Sequence, residues 1–523
     1  MSSSPSRVSS SSTTYALLRF TTGWALIIPK RMKFTHFGGL PTEAQADLLA
    51  LPIFADKLNE SAVIGALDER LGGTVRPILE EEGFKARPQQ TLLVHTQGKL
   101  PQKRLLLVGL GPEKDANPAD LRHAAAKAAK TARSVSAKSV AIALPASLAD
   151  ERGMQFLAEG VLLGRYRFDR YLTNDDSRRP DTLESAILVG GAGEAAFGRA
   201  VRRAEIVAAA VTRARDWVNE PAGTLTPRRL AAEAESLATS RGLSVKVLGP
   251  AECRELGMGM YLAVSQGSDE EPRFVHVAYK PKAPAKRRVC IIGKGVTFDS
   301  GGLSLKPSNA MEDMKVDMAG AAAVLSAVAA VAELESPVEV HAIAACTENM
   351  PSGKSYKLGD VLRSMAGKTV EINNTDAEGR LTLGDAITYA LKQEPDEIFD
   401  FATLTGACVV ALGPHVAGVM TNDTVLSEKW LAAAKSAGEE MWPLPLPERL
   451  REMLKSDVAD MKNTGERYGG ALTAGLFLKE FVGSTPWVHV DIAGPASADK
   501  EYGATPKGGT GFAVATLLEY LCR

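Results

Sequence analysis

The feature that most constrains this chain is a run of nine residues with three charged side chains at alternate positions. Residues 373–381 read Asn-Asn-Thr-Asp-Ala-Glu-Gly-Arg-Leu, which places Asp376, Glu378 and Arg380 two residues apart. If this segment is extended, the three side chains point to the same side. Two carboxylates held so close repel each other, and one guanidinium compensates them poorly. A pair of divalent cations would supply the missing positive charge.

The sequence on either side of this run predicts a strand before it and a helix after it. Residues 369–372 form a β-like run, and residues 381–391 have a helical pattern. Ligands usually bind at the carboxyl ends of strands in an open α/β sheet. The charged run is therefore predicted to lie at a strand end, in a ligand site.

A second group of charged residues follows the predicted strand 288–293. Lys294 and Asp299 come directly after it among glycines, and Lys306 and Asp317 follow. Asp317 precedes an alanine-rich helix, so a helix cap is the alternative role for its carboxylate. Taken singly, each residue also fits a role without function, as a loop lysine, a turn residue or a surface acid. Together, charged groups at strand ends in two glycine-rich loops indicate a binding site.

Histidine and cysteine narrow the kind of metal site that these residues can build. None of the seven histidines falls in either charged group, and His276, His341 and His489 lie in apolar β-like runs that predict satisfied core residues. A metal site here is therefore carboxylate-rich, which suits Mg²⁺ and Mn²⁺ and also a carboxylate-bridged Zn²⁺ pair. The five cysteines form no CxxC pair and are predicted to be unpaired thiols in a reducing compartment.

Length and pattern predict an α/β protein with two domains, because 523 residues exceed one typical domain. Residues 33–190 are predicted to form a smaller N-terminal α/β domain, and residues 191–218 a linker helix. Residues 219–523 alternate strands and helices, which predicts a larger α/β domain with a mixed, mostly parallel central sheet flanked by helices. The Gly-Leu-Gly that ends residues 104–111 lacks the full GxGxxG pattern and is interpreted as a strand-to-turn junction.

Charge and hydropathy argue against two kinds of partner. The net charge of −1 gives no overall signature of nucleic acid binding, and no apolar run approaches the roughly 20 residues that span a bilayer. Residues 1–32 are rich in Ser and Thr and carry no acidic residue, a composition that is typical of an organelle transit peptide. The interpretation favoured here is an over-extended start, disordered or mis-assigned, with Met32 beginning a cytoplasmic protein.

Taken together, the two charged groups resemble the leucyl aminopeptidase (cytosol aminopeptidase) family of two-metal exopeptidases. The matching segments are 293–302 (Gly-Lys-Gly-Val-Thr-Phe-Asp-Ser-Gly-Gly), Lys306, 314–320, 349–353, 374–381, 403–407 and 491–494. The resemblance covers the whole second domain and is looser over residues 33–190. The octapeptide 374–381 is the most specific of these segments.

The resemblance implies a role for each charged residue. It implies metal ligands at Lys294, Asp299, Asp317, Asp376 and Glu378, with Asp299 and Glu378 contacting both ions. It implies two catalytic residues, Lys306 as the stabiliser of an oxyanion and Arg380 as the anchor of a bicarbonate ion that moves a proton. Met314, Thr403 and Gly406 are implied to line the pocket for the first side chain of the substrate. A lysine that binds a metal must be neutral, because an ammonium has no lone pair to donate.

The resemblance also implies an activity and an assembly. The activity is release of N-terminal residues, Leu-like or Met-like with broad tolerance, from short peptides. It would require two divalent ions per subunit, Mn²⁺ or Zn²⁺, with Co²⁺ and Mg²⁺ as alternatives. The implied assembly is a homohexamer whose active sites face an inner cavity. Some family members also bind DNA, so an additional DNA-binding role is the alternative function.

Overall fold

The computed structural model describes residues 32–174 and 181–523. Apart from Met32, the predicted extension at residues 1–32 lies outside the described residues. The protein has two α/β regions, each built on its own large sheet, as predicted.

The N-terminal region combines a six-stranded sheet with four helices. Its strands are β1 (Lys33–Phe37), β2 (Leu48–Ile53), β3 (Thr91–His95), β4 (Arg104–Gly109), β5 (Ser139–Ala143) and β6 (Ser185–Val189), and its helices are α1 (Ala62–Arg70), α2 (Val75–Glu81), α3 (Asp120–Ser134) and α4 (Glu151–Gly164). The strand order is β1-β6-β5-β2-β4-β3, and every neighbouring pair is parallel except β3 with β4. Within the described residues, only the short 3₁₀ helix Glu113–Asp115 follows the Gly-Leu-Gly at the end of β4, and the next α-helix, α3, begins at Asp120, in agreement with a strand-to-turn junction.

A single helix of 26 residues, α5 (Glu194–Asn219), connects the two regions where a linker helix was predicted. Its first half packs in the N-terminal core through residues such as Phe197 and Ala204. Its second half packs in the C-terminal core through residues such as Val211 and Trp217. Because one continuous helix belongs to both cores, it joins the two regions as packed structure and is more than a tether. The exact domain boundaries stay a prediction.

The C-terminal region contains the remaining elements. Its strands are β7 (Ser244–Leu248), β8 (Arg273–Tyr279), β9 (Arg288–Asp299), β10 (Glu339–Asn349), β11 (Val361–Arg363), β12 (Thr369–Glu371), β13 (Glu397–Ala402), β14 (Ala417–Thr421), β15 (Met441–Pro443), β16 (Met461–Lys462), β17 (Trp487–Asp491), β18 (Ser497–Ala498) and β19 (Gly508–Gly509). Its helices are α6 (Pro227–Thr239), α7 (Pro250–Glu255), α8 (Gly259–Ser265), α9 (Ser308–Met311), α10 (Ala319–Glu333), α11 (Gly379–Leu391), α12 (Gly406–Leu412), α13 (Thr424–Ala437), α14 (Gly470–Val482) and α15 (Val514–Leu521).

The main sheet has eight strands in the order β15-β14-β17-β13-β9-β10-β8-β7. The four central strands, β17, β13, β9 and β10, are mutually parallel, whereas β14 pairs antiparallel with β17 and β8 pairs antiparallel with both β10 and β7. The sheet is therefore mixed with a parallel centre, as predicted. Strands β11, β12 and β16 form a separate three-stranded sheet.

Successive residues of β9 alternate between two apolar cores, one on each face of the main sheet. Val289 and Ile291 belong to the core that includes α5 and α10, whereas Cys290 and Ile292 belong to the core that includes α8, α11 and α14. Because strand side chains alternate between faces, Lys294 points to the same side as Cys290 and Ile292. The apolar pattern of the strand thus directs this lysine toward α11.

Helix α10 is buried on all sides over residues 319–331, and Ser326 is the one polar side chain in that stretch. The helical stretch Ser308–Glu333 is long and apolar enough to cross a bilayer by length and composition alone. However, 83% of its most apolar window is buried inside the protein. A helix buried on all sides in a globular core has this same composition.

The predictions of core histidines and unpaired thiols agree with the structure, except that Nε2 of His489 is buried without a hydrogen-bond partner among the described residues. The reducing compartment stays a prediction. His276 and His341 are buried and hydrogen-bond to each other, and His489 is buried against Asp400. All five cysteines lie within the described ranges and none forms a disulfide there. Four of them are fully buried, and Cys522 is half-buried.

Candidate metal centre

The charged residues meet at the edge where the central strands end. Strands β9, β10, β13 and β17 are parallel and end at Asp299, Asn349, Ala402 and Asp491, so their carboxyl ends share one edge of the sheet. This is the position where open α/β sheets usually bind ligands. Strand β9 runs to Asp299 instead of ending at residue 293 as predicted. Lys294 therefore lies inside the strand, because the charged segment continues to pair with β10.

A close backbone approach brings Asp317 to this edge. Helix α10 begins against the sheet so tightly that a Cβ on Gly320 would lie 2.0 Å from the carbonyl oxygen of Phe401. Asp317 sits in the short 3₁₀ helix Met314–Met318 that leads into α10, and its Oδ1 accepts a hydrogen bond from Thr403 Oγ1 at 2.7 Å. The N-cap of α10 is Met318, so the helix-cap alternative for Asp317 is wrong.

Two lysines hold four carboxylates in one charged cluster. Lys294 Nζ lies 2.8 Å from both Asp317 Oδ2 and Glu378 Oε1. Lys306 Nζ lies 2.9 Å from Asp299 Oδ2 and 2.6 Å from Asp376 Oδ1. We call these six residues the charged cluster. The structure brings them together although they come from four different segments of the chain.

The segment that carries Asp376, Glu378 and Arg380 is not extended, contrary to the sequence prediction. Asp376 lies in a turn, Glu378 is the N-cap residue of α11, and Arg380 lies in the first turn of that helix. The preceding strand β12 belongs to the separate three-stranded sheet, so these residues do not follow a strand of the main sheet. Asp376 and Glu378 reach the cluster because the turn and the start of α11 face the edge of the main sheet.

Burial and mutual repulsion govern the pKa values of the cluster. Burial raises the pKa of Asp299 to about 6, with a further contribution from the charge of Glu378. Burial also raises the pKa of Asp317, against the opposing attraction of Lys294. Burial lowers the pKa of Lys294, but the attraction of Asp317 and Glu378 outweighs it, so the net pKa is raised. The carboxylates thus hold this lysine protonated when no other cation neutralises them.

The cluster has the donor set and the unsatisfied oxygens that suit divalent cations. One oxygen each of Asp299, Asp376 and Glu378 lie within 4.8 Å of one another. Glu378 Oε2 is buried without a hydrogen-bond partner among the described residues. Asp317 Oδ2 and Asp376 Oδ1 contact a lysine, but in the described parts of the chain they too lack a partner with hydrogen-bond geometry. Buried carboxylate oxygens without a well-formed hydrogen bond are typical of a cation site.

Arg380 lies buried beside the cluster and is only partly satisfied. Its Nη1 donates a hydrogen bond to the carbonyl oxygen of Asn463 at 3.0 Å, whereas its Nε has no partner within residues 32–174 and 181–523. Burial lowers the pKa of this guanidinium to about 10, which still leaves it charged at neutral pH. A buried guanidinium with a free N–H suits an anion.

The three residues expected to line the substrate pocket occupy different positions. Thr403 is buried in the cluster, because its hydroxyl binds Asp317 and its carbonyl oxygen accepts from Lys294 Nζ at 3.1 Å. Met314 is half-buried at the start of the 3₁₀ helix that carries Asp317. Gly406 is exposed at the first residue of α12. Their role in a pocket stays a prediction.

Sequence reasoning assigned no role to the neutral residues around the cluster. Asn349 Nδ2 donates to Asp299 Oδ1 and to the carbonyl oxygen of Thr375, both at 2.9 Å. Thr375 also accepts a hydrogen bond from the Tyr356 hydroxyl at 2.8 Å. Asn349 and Thr375 lie in the segments that carry the family resemblance. That position was the one feature of the sequence that pointed to a role for them.

A two-region α/β fold with a buried, carboxylate-rich cluster at the strand ends defines a metal-dependent hydrolase. The chain belongs to the cytosol aminopeptidase family. The catalytic domain of that family matches residues 212–518, and its N-terminal domain matches residues 50–175. The resemblance inferred from the sequence is therefore confirmed, and the protein is a metal-dependent aminopeptidase, a hydrolase of peptide bonds.

Individual relatives agree with this assignment. A probable cytosol aminopeptidase from Cyanothece sp. is 43% identical over 482 residues, which cover 92% of this chain and 97% of the relative. A solved structure of a tomato leucine aminopeptidase mutant has a TM-score of 0.87 at 38% identity, covering 96% of this chain and 98% of the other. The bottromycin maturation enzyme BotP in complex with Mn has a TM-score of 0.79 at 40% identity, covering 91% and 99%.

Proposed function

We propose that the protein releases N-terminal residues from short peptides at the charged cluster, with a preference for Leu-like or Met-like residues. The observation that carries this proposal is the cluster itself. Four carboxylates are held within reach of two lysines, and the buried Oε2 of Glu378 lacks a hydrogen-bond partner among the described residues. Bound cations would stabilise such a site by neutralising the repulsion among its carboxylates.

The residues that would hold the metal are Lys294, Asp299, Asp317, Asp376 and Glu378. When bound, two divalent ions, Mn²⁺ or Zn²⁺ with Co²⁺ and Mg²⁺ as alternatives, would supply an activated water and polarise the scissile carbonyl. The BotP relative contains Mn, which favours Mn²⁺ here. The family resemblance implies that Asp299 and Glu378 would be shared by both ions, and one oxygen of each lies within 4.8 Å of the other.

Lys306 and Arg380 would act on the substrate without holding metal. Lys306 is the more accessible of the two lysines, with 16% of its side chain exposed against 4% for Lys294. Attraction to Asp299 keeps Lys306 charged, because it outweighs the effect of burial and raises the pKa. A charged, partly exposed donor suits stabilisation of the oxyanion that develops on the carbonyl oxygen. Arg380 would hold a bicarbonate ion, which accepts and passes on a proton.

The preference for the first side chain of the substrate would be determined by a pocket beside Thr403. Met314 is unbranched and adapts its shape, so a pocket that contains it accepts Leu-like and Met-like residues and tolerates others. Gly406, which has no side chain, would leave room for larger residues. This preference rests on the family resemblance together with the position of Thr403 against Asp317.

Hydrolysis of leucine 4-nitroanilide tests the proposal directly. We expect activity on this amide, none on its N-acetyl derivative, and loss of activity after a chelator. Readdition of Mn²⁺, Zn²⁺ or Co²⁺ should restore activity, with metal content measured in parallel. Equal activity on the blocked amide would contradict an aminopeptidase, and full activity in metal-free protein would contradict the metal site.

The assembly and location are further parts of the proposal. We propose a homohexamer in the cytoplasm, which light scattering tests through the native mass and fractionation tests through the location. Organelle targeting by residues 1–31 is the alternative for the location. A DNA-binding role stays a prediction, and a salt-dependent gel shift with plasmid DNA tests it.

A further inference from the structure

We propose that Asn349 is a positioning residue of the charged cluster, which fixes the orientation of the Asp299 carboxylate and locks the end of β9 and the loop after it to the loop that carries Asp376. This inference rests on the proposed function of the cluster as a metal centre. Asn349 is the last residue of β10 and pairs in register with Asp299, the last residue of β9. Its side chain is fully buried.

The chemistry of its neighbours settles which end of the amide faces them. Asp299 Oδ1 and the carbonyl oxygen of Thr375 are both acceptors, so only the amide nitrogen can face them. That nitrogen carries two hydrogens, one for each 2.9 Å contact. Asn349 Oδ1 is left buried without a hydrogen-bond partner in the described ranges. Asn349 therefore donates to two acceptors while its own side-chain oxygen stays without a hydrogen bond. A buried unsatisfied oxygen lowers the stability of the folded protein.

The two hydrogen bonds to Asp299 Oδ1 decide the orientation of that carboxylate. Asp299 Oδ1 accepts from Asn349 Nδ2 and from the backbone N–H of Gly301, both at 2.9 Å. The final torsion of an aspartate is broad, so external contacts must fix it. With Oδ1 occupied, Oδ2 is the oxygen that faces the cluster, where it lies 2.9 Å from Lys306 Nζ. Loss of the amide would leave the Gly301 N–H as the remaining donor to Oδ1 and would loosen the orientation of this carboxylate.

The second contact of Asn349 secures the other loop. Thr375 directly precedes Asp376, and its carbonyl oxygen accepts from both Asn349 and Tyr356. The Thr375 hydroxyl donates to the carbonyl oxygen of Gly301 at 2.7 Å and accepts from the backbone N–H of Ser304 at 2.8 Å. The loops are thus tied together although their carboxylates repel each other. A neutral amide suits this place because it adds no charge.

Asparagine is the residue type that this position requires. An aspartate at 349 would turn a carboxylate oxygen toward two acceptors and add a negative charge to the cluster. An alanine would remove both hydrogen bonds without adding charge. We expect Asn349→Ala to weaken binding of Mn²⁺ about 10- to 100-fold, a loss that is typical for residues that orient metal ligands. Asn349→Asp should weaken it further.

The test measures Mn²⁺ affinity by calorimetry on chelator-stripped, full-length protein, with kcat, KM and thermal unfolding measured alongside. We expect Asn349→Ala to lower kcat with little change in KM, and excess Mn²⁺ to restore part of the activity. The matched control is Asn219→Ala, which removes a buried side-chain amide that bonds to Tyr166 and Gly509 and to none of the six cluster residues. This control should lower thermal stability and leave Mn²⁺ affinity unchanged.

The outcomes separate this inference from the proposed function. Unchanged Mn²⁺ affinity and kcat in Asn349→Ala, while the wild type binds Mn²⁺, would overturn the positioning role alone. An equal loss of affinity in Asn219→Ala would assign the effect to general destabilisation and also overturn it. A wild type that binds no Mn²⁺ would overturn the proposed function, and this inference with it. If Asn349→Ala does not fold, Asn349→Ser is the replacement, and the same outcomes decide.

Discussion

At the scale of single residues, the two lysines of the cluster differ in what surrounds them. Lys294 is enclosed by Asp317, Glu378 and the carbonyl oxygen of Thr403, whereas Lys306 reaches the surface. The same side chain type can therefore serve as a ligand in one place and as a charged donor in the other. The difference comes from burial, which the sequence around each lysine does not reveal.

Metal binding is predicted to release protons. Attraction to Asp317 and Glu378 outweighs burial and raises the pKa of Lys294, so this lysine keeps its proton until cations replace it. Because cations compete with protons, the affinity for Mn²⁺ should rise between pH 6 and pH 8. Calorimetry in buffers with different ionisation enthalpies measures the release, and Lys294→Met should release fewer protons. Binding of Mn²⁺ without proton release would contradict a neutral lysine ligand.

Glu378→Ala is predicted to abolish most activity without unfolding the protein. Glu378 contacts Lys294 and has a buried oxygen with no hydrogen-bond partner among the described residues, so the variant should lose mainly the proposed shared metal ligand. We expect kcat/KM on leucine 4-nitroanilide to fall by several orders of magnitude while circular dichroism stays unchanged. Near-normal activity would contradict the assignment of the site.

Lys306→Gln is predicted to separate catalysis from metal binding. Lys306 would stabilise the oxyanion without holding metal, and removal of one such donor costs about 10²- to 10³-fold in kcat. We expect that loss together with nearly unchanged Mn²⁺ content, measured by atomic absorption. A metal-free variant would show instead that Lys306 is needed to assemble the cluster.

At the scale of elements, sequence patterns predicted the positions of helices and strands well. They predicted the residues at which strands end poorly. Apolar periodicity predicted the helix at 381–391, which the structure places at Gly379–Leu391. It ended β9 at residue 293, because Lys294 and the glycines beside it interrupt the apolar run. Pairing with β10 continues the strand to Asp299, and this information lies in the partner strand.

The convergence of Asp376 and Glu378 was predicted for the wrong reason. Alternate spacing suggested an extended segment, whereas a turn followed by a helix start brings these residues together. The charged residues of the cluster could be found because charge in an apolar context stands out. Asn349 and Thr375 could not be given a role from the sequence. The role of a neutral polar residue depends on its contacts in the folded protein, which the sequence does not display.

Helix α11 provides a prediction at this scale, because its first residue must be small. A Cβ on Gly379 would lie 2.6 Å from Lys294 Cε and 2.7 Å from Lys294 Nζ. Gly379→Ala should therefore displace Lys294, weaken Mn²⁺ binding and lower kcat. Gly384→Ala in the same helix is the control, since its Cβ would mainly meet the flexible end of Met260. Equal Mn²⁺ affinity in both variants would contradict this close packing.

At the scale of the whole molecule, buried polar contacts fix the N-terminal region to the C-terminal region. Arg122 pairs with Glu159 inside the N-terminal region and also donates to the carbonyl oxygen of Ala437 at 2.8 Å. Arg215 of α5 donates to the carbonyl oxygens of Thr510 and Ala504. Together with the shared helix, these contacts make the two regions one packed unit and leave the cluster on a rigid support.

A chain of buried hydrogen bonds ties α11 to strands β8 and β10 and responds to pH. His341 Nε2 contacts Glu339 Oε1 at 3.0 Å, and because a carboxylate only accepts, this nitrogen must donate. In a neutral pair, His341 Nδ1 then accepts from His276 Nε2 at 2.8 Å, and His276 Nδ1 accepts from the Tyr389 hydroxyl at 3.1 Å. Every group in the chain is satisfied only while both rings are neutral.

Protonation of this pair is predicted to destabilise the protein in acid. Burial, and then the charge of His341, lowers the pKa of His276 to about 4. An unfolded histidine takes up its proton near pH 6.5, so the unfolded state binds more protons between these values. The contribution of His276 to stability is therefore complete above about pH 6.5 and is lost as the pH falls toward 4, by about 2 kcal/mol between pH 7 and pH 4.5.

Urea unfolding of the wild type and His276→Gln at pH 7.0, 5.5 and 4.5 measures this effect. The raised pKa of Asp299 acts in the opposite direction, because a folded state that binds more protons gains stability in acid. The difference between the two proteins cancels that contribution, since both contain Asp299. We expect the wild type to lose more stability in acid than His276→Gln, and a surface control, His415→Gln, to follow the wild type. Parallel pH profiles for the wild type and His276→Gln would exclude the histidine pair as the acid-sensitive element of the fold.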